Sequence, residues 1–361
     1  MLYLMRYTMR KGKTVYVGLS GGVDSSVSAL RLKKAGYNVV GVFIKVWQPD
    51  FLQCNWEEER LSAMQVAAQL DIPFLTFDAE NAYRERVADY FVAEYRSGRT
   101  PNPDVMCNKY IKFGVFLDFA TKHGADYVAT GHYVRRQGHQ MLRGVDTNKD
   151  QSYFLWALSS DDMERTLFPI GDSPKSTIRK EAKAAGLHTA DKKDSQGICF
   201  LGQVDIANFL SHFVELKPGD VLDTSGRVIG SHVGALVYTL GQRHGFTVWN
   251  GNSTERLYVV ERNLKSNTVT VDSKEPRLAD SSQVLLGNCT WRSKIDDSEV
   301  YEVQFRYRQK PIRAKIVSAS GRNATIELLD NTEMPAAGQS AVVYDREWCL
   351  GGGIIEACQS L

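Results

Sequence analysis

Nowhere in the 361 residues is there an uninterrupted apolar run approaching the ~18 residues of a membrane-spanning helix. The opening segment MLYLMRYTMRKGK has no apolar signal core either, so a cytosolic protein without a membrane segment is expected. Charge of one sign is lacking: 44 Lys and Arg stand against 42 Asp and Glu, a net charge of +2. Any hold on nucleic acid must then come from local basic patches and not from a global field. Cysteine is sparse, and the six thiols at 54, 107, 199, 289, 349 and 358 include no CxxC pair. A zinc ribbon, a thioredoxin-like motif and an iron–sulfur loop are thereby disfavoured, and no structural metal is expected. Each thiol is left as a small buried apolar group or as a reactive one. Internal repeats and low-complexity linkers are absent. With 43% hydrophobic and 24% charged residues, the chain has the composition of an ordinary globular protein of two or three domains.

The first half alternates strand-like and helix-like segments. TVYVGL (14–19) leads into a helix ended by Gly36, VVGVFIKV (39–46) into a helical stretch at 57–70, and FLTF (74–77) into helices at about 81–95 and 107–123. The strand YVAT (127–130) follows, then helices announced by Ser173 and Pro174 and by the pattern at 204–213. This order predicts an α/β domain with a doubly wound parallel sheet, its ligands bound beyond the carboxyl ends of the strands. After about Glu215 the pattern becomes short alternating runs such as LYVVER, TVTVDS and ATIELL, as in one or two small barrels. The expected organisation is a first domain over 1–214, a small, mostly β domain over 215–278 and a C-terminal β-barrel over 279–361.

Residues 18–26 read GLSGGVDSS between an apolar strand and a helix. Gly21 and Gly22 permit tight turns, Ser20, Ser25 and Ser26 offer hydroxyls, and the helix directs its positive end at the loop, which together make an anion cradle. A Gly-rich turn that merely caps its helix reads the same way. The GKT at 12–14 is not a Walker loop, because it precedes the strand and Tyr7 stands where the earlier glycine belongs.

The string SGGVDS resembles the pyrophosphatase loop of the ATP-pyrophosphatase superfamily. The other motifs are TPNPDVMCNKYIKF (100–113), ATGHY (129–133), KDQSYFL (149–155), KDSQGICF (193–200), TLGQRHG (239–245), RYRQ (306–309), GQSAVVY (338–344) and CLGGG (349–353). In order and over nearly the whole length, these resemble the tRNA-specific 2-thiouridylases. The resemblance implies ATP-dependent replacement of the 2-oxygen of a wobble uridine by sulfur delivered as a cysteine persulfide, with a persulfide-donor protein as partner and magnesium accompanying ATP. It assigns ATP to Gly18, Leu19, Ser20, Gly21, Gly22, Val23, Asp24, Ser25, Ile44 and Gly131. Cys199 would carry the sulfur, Cys107 would attack the persulfide and form a disulfide with Cys199, and Asp104 would serve as general acid or base. Asn102, Pro103 and Asp104 would face the target base, while His132, Lys149, Asp150, Gln151, Arg306, Tyr307 and Gln339 would contact tRNA. The chain departs from the family pattern at Ile44, where Met is usual, and at Ala63, near a usual acidic residue.

Taken without the resemblance, several of these residues have plainer roles. Asp104 could cap the helix after Pro103, Gly131 could be a strand-end turn, and Cys199 between Ile198 and Phe200 could be core. Cys289, Cys349 and Cys358 sit in strand-like or terminal segments and are expected to be structural; the role of Cys54 is open. A wobble base must be splayed out of its loop to reach a strand-end site, which calls for a basic approach. Two clusters offer one: Lys175, Arg179, Lys180, Lys183, Lys192 and Lys193 against two acids, and Arg306, Arg308, Lys310, Arg313 and Lys315 with none between 304 and 316. In YEVQFRYRQK a strand would place Arg306, Arg308 and Lys310 on one face. Two other functions fit parts of the pattern. Another adenylating enzyme of the superfamily, acting on a tRNA or a small molecule, needs the loop but neither Cys107 nor Cys199. A tRNA-binding protein without catalysis has no use for the intact loop.

Overall fold

The computed structural model describes residues 12–52, 56–193, 205–249 and 256–359. In its first part, strands β1 (Thr14–Gly18), β2 (Asn38–Lys45), β3 (Phe74–Asp78) and β4 (Tyr127–Ala129) are followed by a hairpin, β5 (Val134–Gln137) and β6 (Gln140–Arg143), and by β7 (Thr166–Leu167). The hairpin stands apart. The other five strands form a parallel sheet in the order β3-β2-β1-β4-β7.

Alternation along β1 explains why both faces of this sheet are covered. Val15 and Val17 pack under helices α1 (Val23–Lys34) and α2 (Trp56–Gln69), whereas Tyr16 joins the core on the opposite face. That second core is supplied by α3 (Glu80–Tyr83) with α4 (Asp89–Arg96), and by α5 (Pro103–Met106) with α6 (Phe116–Lys122). Each of these pairs is joined through π-helical turns, Arg84–Ala88 and Cys107–Val115. Helix α8 (Lys175–Ala184) lies on the α1 side, whereas the shorter α7 (Ser160–Glu164) and α9 (Ile206–Ser211) bury Met163, Phe209 and Leu210 in the opposite core. The sheet is doubly wound, as the βα alternation predicts. Because β1 has β2 on one side and β4 on the other, their carboxyl ends mark the topological switch point where such sheets form a ligand crevice.

The helix expected to begin at Cys107 begins at Pro103 instead. Asn102 caps it, its side chain accepting from the Val105 N–H at 3.4 Å, and Pro103 occupies the first helical position. Cys107 therefore sits one turn into the helix, and its setting is not the helix end that the sequence suggests.

The central part is a five-stranded sheet of β8 (Gly219–Leu222), β9 (Val228–His232), β10 (Phe246–Val248), β11 (Tyr258–Asn263) and β12 (Thr268–Asp272), in the order β10-β9-β8-β12-β11. Its small core contains Val221, Tyr238, Val259, Val269 and Val271. Short strands β13 (Arg277–Leu278) and β18 (Thr332–Glu333) pair with each other. The last part is a barrel of β14 (Gln283–Trp291), β15 (Tyr301–Gln304), β16 (Ile312–Ser320), β17 (Asn323–Leu328), β19 (Ser340–Asp345) and β20 (Trp348–Gln359), closed by the pairing of β14 with β20.

β20 also pairs with β6, so the barrel continues into the first domain's hairpin. Along β19, Val343 faces the barrel core while Val342 and Tyr344 enter the core of the first domain. Arg292, only 4% exposed, reinforces the contact by donating to the carbonyls of Trp156 and Leu158, each at 2.8 Å, and of Cys349 at 2.7 Å.

The strand expected to carry Arg306, Arg308 and Lys310 on one face ends at Gln304. The Gln309 side-chain oxygen accepts from the N–H groups of Phe305 and Arg306 at 2.8 and 3.1 Å, which turns the chain out of the ladder, and Arg308 has φ +63°. These cations stand on a turn.

Candidate functional site

The loop after β1 is held in shape by its neighbours. Gly21 has φ +69°, and a Cβ there would lie 2.7 Å from the Glu59 carbonyl oxygen. The Gly21 carbonyl accepts from Ser62 Oγ at 3.1 Å and from Lys192 Nζ at 3.0 Å, which fixes the peptide plane behind it. Ser25 Oγ closes the loop by accepting from the Ser20 N–H at 3.2 Å and donating to the Gly22 carbonyl at 3.1 Å. Helix α1 starts at Gly22 with no side-chain cap, so its first-turn N–H groups are turned to the cradle as an anion site requires.

Gly131, just past β4, completes the wall. A Cβ at this position would lie 2.7 Å from the Ser25 nitrogen and 2.8 Å from the Asp24 carbonyl carbon. Only a glycine allows β4 to approach the α1 terminus so closely. Ile44, at the carboxyl end of β2, packs 3.7 Å from where a Gly18 Cβ would stand. Ala63, on the inner face of α2, is fully buried in the core between that helix and the sheet.

Asp24 points its carboxylate at two donors. Lys175 Nζ lies 2.7 Å from both oxygens, and Tyr133 OH donates to Oδ1 at 2.6 Å. The basic cluster expected to serve RNA is thus partly turned inward, with Lys175 on Asp24 and Lys192 on Gly21. The sequence marked Lys175 only as part of a basic approach to RNA and Tyr133 only as the last residue of ATGHY; it tied neither to Asp24. The signal that could have marked Lys175 is a cation in the first turn of a helix, the electrostatically disfavoured end.

The helix from Pro103 to Lys122 runs past the same crevice. Phe116 packs near Gly18, at 3.9 Å from its notional Cβ, and the Phe113 ring lies 5.8 Å from that of His132. Asp104 is half-buried, and burial raises its carboxyl above the usual range against the opposing pull of Lys112. His132 is buried and bonded to Thr130 Oγ1 at 2.7 Å; burial, then Lys112, holds it well below its usual value, so it is neutral at pH 7. Cys107 is 2% exposed, and its neighbour Asn108 donates to the Phe154 carbonyl at 3.0 Å. Cys199 and Cys54 lie outside the described residues.

Three parts of the chain converge immediately before Asn102. Arg262 of the central sheet donates to the Gly98 carbonyl, and Thr239 bonds to Thr100 through their hydroxyls at 2.9 Å. From the barrel, Gln339 Nε2 donates to the carbonyls of Thr100 at 2.9 Å and Pro101 at 3.2 Å. The segment that leads to Asp104 and Cys107 is therefore held by both accessory domains.

Of the other expected tRNA contacts, Asp150 and Gln151 are engaged within the protein. Asp150 accepts from the N–H groups of Gly144 and Ser152, and Gln151 from the N–H of Tyr133 at 3.0 Å. Lys149 precedes them on the same partly exposed turn. Arg306 reaches Glu333 at 2.9 Å, and the Tyr307 ring lies against Phe154 at 4.5 Å. Arg277, Arg306, Tyr307, Arg308, Lys310 and Glu333 line part of an open cleft of about 730 Å³ at the rim of the barrel.

Three family models match in succession: a tRNA methyl transferase HUP domain over residues 13–203, a tRNA methyl transferase PRC-barrel domain over 207–273, and an aminomethyltransferase beta-barrel domain over 281–355. The tRNA-specific 2-thiouridylase MnmA of Idiomarina loihiensis is 43% identical over 357 residues, covering 95% of this chain and 96% of that protein. Its namesake from Bacillus subtilis is 44% identical over 353 residues, covering 95% and 94%. The chain belongs to the tRNA-specific 2-thiouridylase family. Like those 2-thiouridylases, it carries all three regions in one polypeptide, since the alignments run through the sheet, the central domain and the barrel alike. Among solved structures, the U34-tRNA thiolase NcsA of Methanococcus maripaludis is similar at a TM-score of 0.37 and 15% identity, covering 58% of this 2-thiouridylase chain and 68% of that one.

Proposed function

We propose that this protein replaces the 2-oxygen of a wobble uridine in tRNA by sulfur, using ATP and a persulfide. One observation carries the proposal. The chain aligns at 43–44% identity with proteins named tRNA-specific 2-thiouridylase over 95% of its length, and the shape of the loop at residues 18–25 supports the reading. The models described as methyl transferase domains each cover one region, whereas the relatives named as thiouridylases cover the whole.

In the first step the 2-oxygen of the uracil attacks the α-phosphorus of ATP, the bond to the bridging oxygen breaks, and pyrophosphate leaves with the electron pair. The residues 18–25 and Gly131 hold the nucleotide, with Ile44 against its base, and Asp104 manages the proton lost from N3. A carboxyl raised by burial suits a group that must take and return a proton. Magnesium accompanies ATP. It would neutralise phosphate charge and would be held chiefly by phosphate oxygens, because both oxygens of Asp24, the single carboxylate of the loop, are engaged by Lys175 at 2.7 Å.

In the second step the Cys107 thiolate attacks Sγ of the persulfide on Cys199. The sulfur–sulfur bond breaks, hydrosulfide leaves, and a Cys107–Cys199 disulfide remains for an external thiol to reduce. Hydrosulfide adds to C2 and expels AMP. A persulfide-bearing donor protein recharges Cys199. The splayed anticodon nucleotide enters beside Asn102 and Pro103, with Arg306, Tyr307 and Lys149 on the approach to tRNA, while the buried His132 and the internally bonded Asp150, Gln151 and Gln339 shape that surface from behind. No helix among the described residues is long and apolar enough to cross a membrane, in keeping with a cytoplasmic reaction.

Turnover with tRNA and ATP labelled at the α-phosphate tests the first step. AMP is the expected labelled product, and labelled ADP would contradict the proposal.

A further inference from the structure

The connector between α4 and α5 takes bonding partners from both other domains. The Arg99 N–H still closes α4 by donating to the Glu94 carbonyl at 2.8 Å, but the polar backbone groups on either side of it turn outward. Gly98 offers its carbonyl to Arg262, the Thr100 N–H donates to the Ala337 carbonyl at 2.8 Å, and Gln339 holds the carbonyls of Thr100 and Pro101. Gly338 permits the approach: its φ is +92°, and a Cβ there would lie 2.9 Å from both the nitrogen and the oxygen of Thr100.

Within this connector, the Arg99 guanidinium forks between carboxylates of two domains. Its Nε donates to Glu94 Oε2 of α4 at 2.8 Å and its Nη1 to Glu356 Oε2 of β20. Nη2 reaches the Ile355 carbonyl at 3.4 Å, the same atom that accepts from the Gly338 N–H at 2.8 Å. The side chains of Arg99 and Glu94 are only 21% and 19% exposed, so water screens their pairing less than it would an open surface pair. Without the guanidinium, Glu94 and Glu356 would be left as neighbouring like charges across the domain boundary. Asn102, which caps α5, follows directly on the held residues, and Asp104 and Cys107 lie on the turn it starts. We propose that Arg99 is a positioning residue for thiolation: by joining α4 to β20 it sets where Asn102, Asp104 and Cys107 stand relative to the target base. The inference rests on the thiolation reading above and adds to it the side chain that fixes the reacting segment against the barrel.

Two measurements on the full chain test this. Hydrogen exchange on the protein alone should show the amides of Thr100, Val105, Met106 and Cys107 exchanging about 10-fold faster in Arg99→Met than in the wild type, with those of α1 unchanged. In thiolation assays the same variant should lose about 10- to 100-fold in kcat, while the KM values for ATP and tRNA stay within about twofold. Arg99→Lys keeps the charge without the fork and should fall between the two. Glu356→Ala should reproduce the loss, and combining it with Arg99→Met should add little, as expected of residues that act through one contact. Exchange at these amides left unchanged by Arg99→Met would overturn the assignment, as would losses that multiply in the double variant. A raised KM for tRNA with kcat preserved would make Arg99 an RNA contact and overturn it too. If Arg99→Met does not fold, Glu356→Ala and Arg99→Lys carry the same comparison. The exchange measurement requires neither tRNA nor ATP, so wild-type protein that makes no 2-thiouridine would count against the thiolation reading alone, and exchange would still decide whether Arg99 holds the segment.

Discussion

Asp104 shows at one residue how a desolvated carboxyl can cost stability. Its carboxyl is raised by burial, with Lys112 only partly compensating, so the folded protein favours the protonated form more than the unfolded chain does. The ionised form at neutral pH therefore destabilises the fold, and the penalty fades as pH falls through the ordinary carboxylate range. Asp104→Asn, neutral at every pH, should melt above the wild type at pH 7, with the difference shrinking toward zero in acid. The same variant should lose about 10²- to 10⁴-fold in thiolation rate if the carboxyl moves the proton. Melting curves at several pH values, paired with rates, check both signs. A variant that melts lower at pH 7 and retains wild-type activity would reduce Asp104 to an ordinary first-turn residue. The motif around it was legible in the sequence, but its division of labour was not. Asn102 does the capping that was assigned to Asp104 as an alternative, because the cap position is decided by which side chain meets the Val105 N–H.

At the scale of elements, the crevice depends on how closely β4 approaches α1. Gly131→Ala would set a methyl against backbone atoms of Asp24 and Ser25, which cannot give way without moving the helix. The expected cost is about 1–3 kcal/mol of stability together with a clear loss of ATP affinity. Gly22→Ala, with φ −102° and its Cβ 3.4 Å from a rotatable Ser20 hydroxyl, should leave the melting temperature nearly unchanged. Equal destabilisation by the two substitutions, measured by thermal melting, would refute this reading of the contact. The strands, the helices flanking them and the Gly-rich turn after β1 were legible because periodicity and turn residues are local signals. The inward turn of Lys175 and the hold of Gln339 on Thr100 were not, since each joins residues more than 100 positions apart. The expected strand through Arg306 and Arg308 failed for a related reason: one Gln309 side chain supplies the acceptor that ends the ladder, which no period of two reveals.

Across the whole molecule, the three regions read from the sequence meet at residues 98–101, where the central sheet and the barrel both bond to the segment that precedes Asn102. On the proposed reading, this arrangement would tie the surfaces that take tRNA to the residues that act on its base. The domain series was visible as a change from βα alternation to short strands. The joining of the barrel to the first domain through β6, β20 and the buried Arg292 was not, because its partners belong to different motifs. The central claim, thiolation of a wobble uridine, is tested most directly by incubating the protein with tRNA, ATP, magnesium and a persulfide donor, then digesting the tRNA and analysing its nucleosides by mass spectrometry. The account predicts 2-thiouridine formed only when ATP and the sulfur source are both present, with Cys107→Ser and Cys199→Ser inactive. Unmodified uridine under the complete conditions, or 2-thiouridine formed without ATP, would contradict it.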